Sequence, residues 1–360
     1  PEELQYKLQV GMVVTIPFGN GNHERKGYVI GLSDTPAFDT SRMKELTGIC
    51  SSEETTEERL IALAVWMKKQ YGSTMVQALK TVLPVREKVK AKEKRYIILN
   101  VSEEEAEKIA GKLESGRCKA RARLVRALLE EKKLDYTKAS KEFGMTASVL
   151  RPLADEGIVQ VVQDEVYRMT VDGANIPHEE LSILTEPQQE AFDQIQEEWK
   201  ADPPRPVLIH GVTGSGKTSV YVHLIDAMRR KGKASILLVP EIALTPQMIR
   251  IFSSYFGDDI AVLHSSLAVG ERYDEWKRIK TGRARVVIGT RSAVFAPCSD
   301  LGLIIMDEEQ EYTYKSENSP RYHARDAAKF RCASSNALLV LGSATPDVES
   351  RYRAEKGVYH

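Results

Sequence analysis

Cysteine is scarce in this chain, and the four present (Cys50, Cys118, Cys298 and Cys332) lie far apart with no Cys-x-x-Cys pair. That spacing argues against a zinc site or a disulfide framework within this stretch and fits a reducing cytoplasm. No apolar run approaches the ~18 residues of a membrane span, and there is no secretory signal, so we expect no membrane partner. Lys plus Arg and Asp plus Glu both number 51, so any basic face for nucleic acid must be local.

An initiator methionine is also missing, because the chain opens with Pro1, and we expect a piece of a longer protein. The 360 residues have room for two or three domains, and a hydrophobic content of 42% is enough for their cores.

The stretch around which the sequence is organised begins with a short apolar run at 207–209, which predicts a buried strand. A loop of the pattern Gly-x-x-x-x-Gly-Lys-Thr follows, and then a segment with the apolar spacing of a helix. This order predicts a phosphate-binding loop, because backbone N–H groups and the helix N-terminus both attract phosphate oxygens. Lys217 is expected to reach the β/γ-phosphates and Thr218 to hold Mg²⁺. The loop residues expected to bind ATP are Gly211, Thr213, Gly214, Ser215, Gly216, Lys217 and Thr218.

The first 85 or so residues begin with strand signals at 12–16 and 26–32, which predict a hairpin or small barrel segment around a glycine-rich loop. A helix is expected near 57–71. The basic run 86–95 predicts a solvated linker, with a DNA-tracking patch as the alternative.

Residues 117–170 carry three helical signals followed by two short strand signals, at 158–162 and 165–169. A capping box at Ser102 and Glu105 begins a helix before them. Helices followed by a hairpin predict a winged-helix module, which often places its third helix on duplex DNA. That helix has only Arg151 as a cation, so the module binds either DNA or protein, and its role stays open.

The largest unit, 180–360, alternates apolar runs with helical segments, which predicts a doubly wound α/β fold with a mostly parallel sheet. Continuous apolar runs are typical of strands covered on both faces. The expected strands are 207–209, 235–239, 261–263, 286–289, 303–307 and 337–341.

Two carboxylates, Asp307 and Glu308, follow the fifth of these strands, at the sheet edge where ligands of such folds bind. We expect Asp307 to hold Mg²⁺ and Glu308 to polarise the attacking water, so that positioning and charge neutralisation drive γ-phosphate hydrolysis. After the last strand, Ser343 and Thr345 are candidates for sensing the γ-phosphate.

Three further strand-end residues, Thr245, Arg291 and Ser292, suit a grip on a nucleic-acid backbone without recognition of bases. Ordinary strand-to-helix turns are the alternative. The segment 311–326 interleaves aromatic and cationic residues, which suits base stacking with phosphate contact. Its candidate DNA-binding residues are Tyr314, Arg321 and Tyr322, and a packed surface loop is the alternative.

Together these motifs resemble those of superfamily 2 helicases, and most specifically the primosomal replication-restart helicases of the PriA family. The residues that carry the resemblance are 16–19, 211–218, 239–247, 288–293, 307–309, 321–326 and 341–346. The resemblance implies a 3′-end DNA-binding domain at 1–90, a winged helix at 100–172 and a RecA-like first helicase lobe at 180–360. It implies ATP and Mg²⁺ as cofactors and a bacterial, nucleoid-associated place in the cytoplasm. The implied partners are forked and single-stranded DNA, primosome proteins and single-stranded DNA-binding protein.

By the same resemblance, Gln188 recognises adenine, and Gly19 and Lys44 lie at the pocket for the DNA 3′ end. The segment 322–326 matches the family's loop that couples DNA binding to ATP hydrolysis. One departure is Gln310, which stands where the family usually has histidine; we expect it to keep a coupling role through its hydrogen bonds.

Two other departures concern parts of the family pattern that are not in this sequence. The family's first strand precedes the match, and the second helicase lobe, its arginine fingers and its zinc-binding cysteines would follow His360, so zinc is expected only there. Because an arginine finger is worth about 10³–10⁵ in rate, we expect this stretch alone to bind nucleotide weakly and hydrolyse it poorly.

Two functions compete. One is a DNA-dependent ATPase that unwinds DNA 3′ to 5′ at stalled or abandoned forks and initiates primosome assembly. The other is a fork-binding platform that recruits primosome proteins, with ATP as a switch. A small-molecule kinase is disfavoured because the sequence has nothing resembling a substrate lid.

Overall fold

The structure is a computed structural model that describes residues 4, 7–8, 12–19, 21–35, 39–49, 55–83, 93–116, 118–165 and 176–360. Its strands are β1 (Val13–Phe18), β2 (His23–Tyr28), β3 (Gly48–Ile49), β4 (Glu93–Leu99), β5 (Lys133–Asp135), β6 (Val159–Glu165), β7 (Val207–His210), β8 (Ala234–Leu238), β9 (Ile260–Leu263), β10 (Val286–Gly289), β11 (Leu301–Asp307) and β12 (Leu338–Ser343). Its α-helices are α1 (Thr55–Tyr71), α2 (Met75–Val82), α3 (Glu103–Ser115), α4 (Lys119–Glu131), α5 (Tyr136–Glu142), α6 (Ala147–Asp155), α7 (Glu186–Trp199), α8 (Lys217–Arg230), α9 (Pro246–Phe256), α10 (Val269–Lys280), α11 (Ala324–Ser335) and α12 (Val348–Glu355). The chain divides into two units, Pro1–Val89 with Met169–His360, and Lys90–Arg168.

A six-stranded parallel sheet of order β7-β12-β11-β8-β10-β9 forms the centre of the larger unit. Successive residues of a strand enter different apolar clusters: Ile304 and Met306 pack in one, Leu303 and Ile305 in the other. Because neighbouring side chains of a strand point to opposite faces, the sheet is buried on both sides. The expected doubly wound α/β fold is confirmed, and all six expected strands form within a few residues of their predicted bounds.

The amino-terminal part of this unit contains a small antiparallel sheet, β2-β1-β3. The expected hairpin is confirmed as β1 paired with β2. Helices α1 and α2 then pack against the large sheet's apolar cluster, where the Trp66 ring stacks on Phe330 with a 5.1 Å centroid distance. The Tyr71 hydroxyl donates to Asp326 Oδ2 at 3.2 Å. Helix α2 was not expected, although Thr74 and Gln77 form a capping box at its start.

The smaller unit has an antiparallel sheet of order β5-β4-β6 and the helices α3 to α6. The expected Ser102–Glu105 capping box is formed, and the Asp135 side chain caps α5. The expected hairpin at 158–162 and 165–169 is wrong in its described part, because β6 runs unbroken through this region and pairs with β4 instead. We expected a linker where β4 begins, since a basic run precedes its apolar residues. Most of that run, and the second half of the expected hairpin, lie outside the described residues.

A search of the described helices finds no stretch with the length and hydrophobicity of a membrane span.

Candidate functional site

The glycine loop lies between β7 and α8, at the carboxyl edge of the sheet. Gly214 and Gly216 have φ angles of +80° and +81°. Residues other than glycine rarely adopt this left-handed backbone conformation. A Cβ on Gly211 would lie 2.8 Å from the Ser215 hydroxyl, and a Cβ on Gly216 would overlap the Gln188 side-chain amide. The loop therefore needs its glycines both for conformation and for space.

Gln188 lies directly beside this loop, at the start of α7. Its Nε2 donates to the backbone oxygen of Ser215 at 3.0 Å, and its Oε1 accepts from Thr185 N at 3.0 Å. The amide is thus fixed against the loop backbone. The structure brings the proposed adenine-recognising residue to the phosphate loop, although 27 residues separate it from Ser215.

Lys217 lies between the glycine loop and the carboxylates at the end of β11. Its Nζ donates to Gly211 O at 2.8 Å and lies 3.7 Å from Glu308 Oε1. Only 9% of its side chain is exposed, so the ammonium group is held in a partly desolvated position. Two motifs that are remote in sequence therefore meet at one point.

Asp307 ends β11 and accepts a hydrogen bond from the Tyr221 hydroxyl of α8 at 2.9 Å. Burial raises the pKa of Asp307, while the Tyr221 hydrogen bond and Lys217 act in the opposite direction. Burial, and then the charge of Asp307, raise the pKa of Tyr221 well above its usual value, so this hydroxyl stays a donor. The Tyr221 hydrogen bond therefore orients the Asp307 carboxylate, but Tyr221 and Lys217 together do not offset the effect of burial on its pKa.

Glu308 has a φ of +46°, in the left-handed region. Non-glycine residues in this region are uncommon, and such strain concentrates at functional sites. The conformation places the Glu308 carboxylate beside Lys217 and beside Gln310, whose Nε2 donates to Glu308 Oε2 at 3.0 Å.

A line of hydrogen bonds runs from these carboxylates to the end of β12. Ser343 Oγ donates to Gln310 Oε1 at 2.5 Å and accepts from Thr345 N at 2.9 Å. The backbone oxygen of Ser343 also accepts from Gly211 N at 3.1 Å. The structure thus brings all three predicted coupling residues together, with the glycine loop on one side and Glu308 on the other.

The residues at this edge fit a magnesium-bound nucleotide. Oxygen atoms of carboxylates and hydroxyls are the ligands that Mg²⁺ prefers together with phosphate oxygens. Asp307 supplies a half-buried carboxylate, and Thr218 stands exposed at the first turn of α8, where a helix N-terminus favours phosphate. Thr213 and Ser215 are likewise exposed in the loop.

Glu309 belongs to a buried polar cluster that sequence analysis missed. Its Oε2 accepts from Arg325 Nη1 at 2.8 Å and from Ser350 Oγ at 3.0 Å, and its Oε1 accepts from Asp347 N at 2.8 Å. Glu309 is 1% exposed and Arg325 6%. The cluster ties the carboxylate motif to α11 and to the start of α12. The sequence could not predict that Glu309 is buried, because three adjacent acidic residues carry no signal that distinguishes the buried one from the others.

Two residues predicted at a DNA 3′-end pocket also come together. Lys44 Nζ donates to Gly19 O at 2.6 Å and to Asn22 Oδ1 at 2.8 Å. Gly19 has a φ of +73°, as a tight turn requires. Both residues are exposed, so the site is open to solvent.

Some of the remaining residues predicted to contact DNA are exposed, and others form hydrogen bonds within the protein. Thr245 and Ser292 are exposed at strand ends, and Arg321 is exposed in the loop after the carboxylates. Arg291, by contrast, donates to the backbone oxygens of Thr313 at 2.9 Å and Lys315 at 2.6 Å. Its Nη1 therefore supports this loop from within the protein, and its expected contact with a nucleic-acid backbone stays a prediction.

The two tyrosines predicted for base stacking are buried, Tyr314 at 1% and Tyr322 at 4% exposure. The Tyr314 hydroxyl donates to Asp307 O at 2.7 Å, so its ring supports the carboxylate strand. This corrects the expectation of an open stacking surface at Tyr314, while Tyr322 borders a cavity. Tyr312 in the same segment exposes 79% of its surface and was not predicted. The alternation of aromatic and cationic residues in 311–326 could not show which rings are buried and which face solvent.

Comparison with known proteins agrees with this geometry. The DEAD/DEAH box helicase family matches residues 185–353, and the PriA 3′ DNA-binding domain (3′BD) matches residues 1–84. The replication restart protein PriA of Bacillus subtilis (strain 168) is 32% identical over 100% of this chain and 52% of its own length. PriA of Chlamydia pneumoniae is 32% identical over 100% of this chain and 48% of its own. PriA of Treponema pallidum (strain Nichols) is 47% identical over 51% of this chain and 28% of its own. The chain spans about half the length of the first two of these relatives.

Proposed function

Since this chain belongs to the PriA family of replication restart proteins and contains a DEAD/DEAH box helicase domain, we propose that it powers 3′-to-5′ unwinding of DNA by ATP hydrolysis. In this proposal the protein unwinds DNA at stalled or abandoned replication forks, where it initiates primosome assembly. The domain division at 1–90, 100–172 and 180–360 is part of this proposal.

The observation that supports the ATPase most strongly is the 3.7 Å approach of Lys217 Nζ to Glu308 Oε1. A bound nucleotide would supply the phosphates that Lys217 and the loop N–H groups hold. Thr218 and Asp307 would hold Mg²⁺, which would neutralise phosphate charge, and the glycine loop would orient the γ-phosphate. Glu308 accepts a hydrogen bond from the attacking water and so directs it. Gln188, fixed against the loop, recognises the adenine edge.

Coupling to DNA runs through Gln310 in this proposal. Gln310 contacts Glu308 with its donor end and Ser343 with its acceptor end, so a shift at either neighbour moves the other. Removal of the γ-phosphate would release Glu308 and, through Gln310, the turn at Thr345. Such two-state loops are a common way to convert hydrolysis into motion.

DNA is bound at two places. The Gly19–Lys44 site takes the free 3′ end of a nascent strand, where the ammonium group favours the terminal phosphodiester. The single strand then passes along the carboxyl edge of the sheet, contacted by Thr245, Ser292, Arg321 and the exposed ring of Tyr312. These are backbone contacts and stacking contacts, which suit a motor that must accept any sequence. Primosome proteins and single-stranded DNA-binding protein are the proposed protein partners, in the bacterial cytoplasm at the nucleoid.

The experiment that tests this proposal measures ATP hydrolysis and unwinding by the intact protein on forks whose leading-strand 3′ end is free or blocked. We expect DNA to stimulate hydrolysis, the free end to be preferred, and Lys44→Ala to remove that preference while leaving stimulation by single-stranded DNA. Lys217→Ala should abolish both hydrolysis and unwinding. If Lys217→Ala keeps full replication-restart activity, the protein is instead a fork-binding platform with ATP as a switch.

A further inference from the structure

Tyr71 is the last residue of α1, in the part of the chain that matches the 3′ DNA-binding domain, yet its side chain contacts the segment 311–326 of the helicase domain. Its hydroxyl donates to Asp326 Oδ2 at 3.2 Å and accepts from His323 N at 3.4 Å. Lys315 Nζ lies 5.6 Å from the centre of its ring, within the range of a cation–π contact. One side chain therefore contacts both sides of this segment.

The two sides of the segment are also joined to each other. Lys315 and His323 form an antiparallel bridge, which we call the neck. Beyond the neck, residues 317–319 and Arg321 form a tip that is exposed to solvent. A nucleic-acid strand that contacts the tip therefore acts on the rest of the protein through the neck, which Tyr71 contacts from outside.

Each side of the neck continues to the carboxylate motif. On the side before the tip, Glu311 N donates to Glu308 O at 2.9 Å. On the side after the tip, α11 begins, and its Arg325 donates to Glu309 Oε2 at 2.8 Å. Arg325 is adjacent in sequence to Asp326, which accepts the hydrogen bond from α1. A displacement of the neck relative to α1 would therefore reach both Glu308 and Glu309.

Packing and protonation both suit Tyr71 to hold the neck. Its ring meets Trp66 edge to face with a 5.8 Å centroid distance, and the Trp66 ring stacks on Phe330 of α11. Burial, and then the charge of Asp326, raise the pKa of Tyr71 to about 12, so its hydroxyl is protonated at neutral pH and can donate. The ring is thus fixed by packing, and the hydroxyl supplies the hydrogen bonds to Asp326 and His323.

We propose that Tyr71 is a positioning residue for DNA-stimulated ATP hydrolysis, because it holds the neck in the arrangement that carries DNA contact at the tip to Glu308 and Glu309. The inference rests on the proposed function and deepens it. It gives the part of the chain that matches the 3′ DNA-binding domain a direct role in coupling DNA to the ATPase.

The test measures steady-state ATP hydrolysis by the intact protein with and without a single-stranded oligonucleotide. Tyr71→Phe keeps the ring and removes the hydroxyl. We expect it to lower the DNA-stimulated kcat about fivefold, equivalent to ~1 kcal/mol for the lost hydrogen bonds, while the DNA-free rate and KM for ATP stay unchanged. Tyr352→Phe is the matched control, since its ring is 58% exposed and likewise has a lysine, Lys356, over it; it should keep full stimulation.

Asp326→Ala tests the same hydrogen bond from the helicase side and should also lower the stimulated rate. Adding Tyr71→Phe to Asp326→Ala should change that rate by less than about twofold, because two residues that act through one contact are not additive.

The inference is overturned if Tyr71→Phe keeps full stimulation, or if the two losses multiply in the double variant. It is also overturned if Tyr71→Phe lowers the stimulated rate, the DNA-free rate and the melting temperature together, which is the result expected of a residue that only packs. If DNA does not stimulate the unaltered protein at all, the proposed motor function fails, and this inference with it.

Discussion

The hydroxyl of Tyr221 donates a 2.9 Å hydrogen bond to Asp307, which joins the helix after the glycine loop to the strand that carries the carboxylates. Gly342 of the neighbouring strand pairs with Asp307 and leaves the space that this hydroxyl occupies. A tyrosine, an aspartate and a glycine from three separate motifs therefore form one support beneath the site.

Asp307 should reduce the stability of the ligand-free protein at neutral pH. Its pKa is raised in the folded state by burial, so the folded protein binds this proton more tightly than the unfolded chain does. The stability that this proton contributes is complete below the unfolded pKa, near 3.8, and is lost as pH rises through the folded pKa. We therefore expect Asp307→Asn to raise the melting temperature at about pH 7 and the gain to shrink as the pH approaches about 4. Thermal melts across that range test this, and a gain independent of pH would contradict it.

Gly342→Ala should damage both stability and nucleotide binding. A Cβ at this position would overlap the Tyr221 hydroxyl and lie 3.5 Å from Asp307 Oδ1. Overpacking of this kind typically costs about 1–3 kcal/mol. The matched control is Gly111→Ala in α3, where a Cβ meets nothing within 4 Å and should stabilise by about 0.4–1 kcal/mol. Denaturant unfolding measures the change in the free energy of unfolding for both variants. Equal changes would show that the overlap with Tyr221 does not destabilise the Gly342→Ala variant.

Gln310→Leu should separate turnover from nucleotide binding. The change removes the hydrogen bonds to Glu308 and Ser343 but leaves the glycine loop unchanged. With about 1 kcal/mol for each of the two bonds, we expect kcat for DNA-stimulated hydrolysis to fall about thirtyfold, with KM for ATP nearly constant. Gln310→His retains a donor and an acceptor and should keep most of the rate. Steady-state kinetics of the intact protein measure both constants, and a rise in KM alone would place Gln310 in substrate binding instead.

Arg325→Met should be strongly destabilising, because it leaves Glu309 buried without its cation. The two side chains are 8% and 0% exposed, and loss of one partner of such a pair costs about 3–5 kcal/mol. Arg351→Met is the control: its pair with Glu355 is more than half exposed on both sides and should matter by about 0–1 kcal/mol. Similar losses in urea unfolding for the two variants would contradict the structural role given to the Glu309–Arg325 cluster.

The parts of the fold that sequence alone could predict are those whose signal is local. The strand before the glycine loop, the six apolar runs of the large sheet and the carboxylates after β11 all carry their pattern within a few residues. Strand β4 was missed because its pairing with β6 is long-range and its start follows a basic run. Tyr314 was expected to stack on DNA bases, but its hydroxyl donates to Asp307 O and its ring is buried. A sequence shows that a ring or a cation is present, but it does not show which backbone oxygen that side chain contacts.

The most direct test of the account is magnesium-dependent binding of a fluorescent ATP analogue to the unaltered chain, to Lys217→Ala and to Asp307→Asn. The 3.7 Å approach of Lys217 to Glu308 places the loop and the carboxylate motif at one site. We therefore predict binding that requires Mg²⁺ in the unaltered chain and is lost in both variants, while thermal melts show both folded. Undiminished binding in both folded variants, or no nucleotide binding by the intact protein, would contradict it.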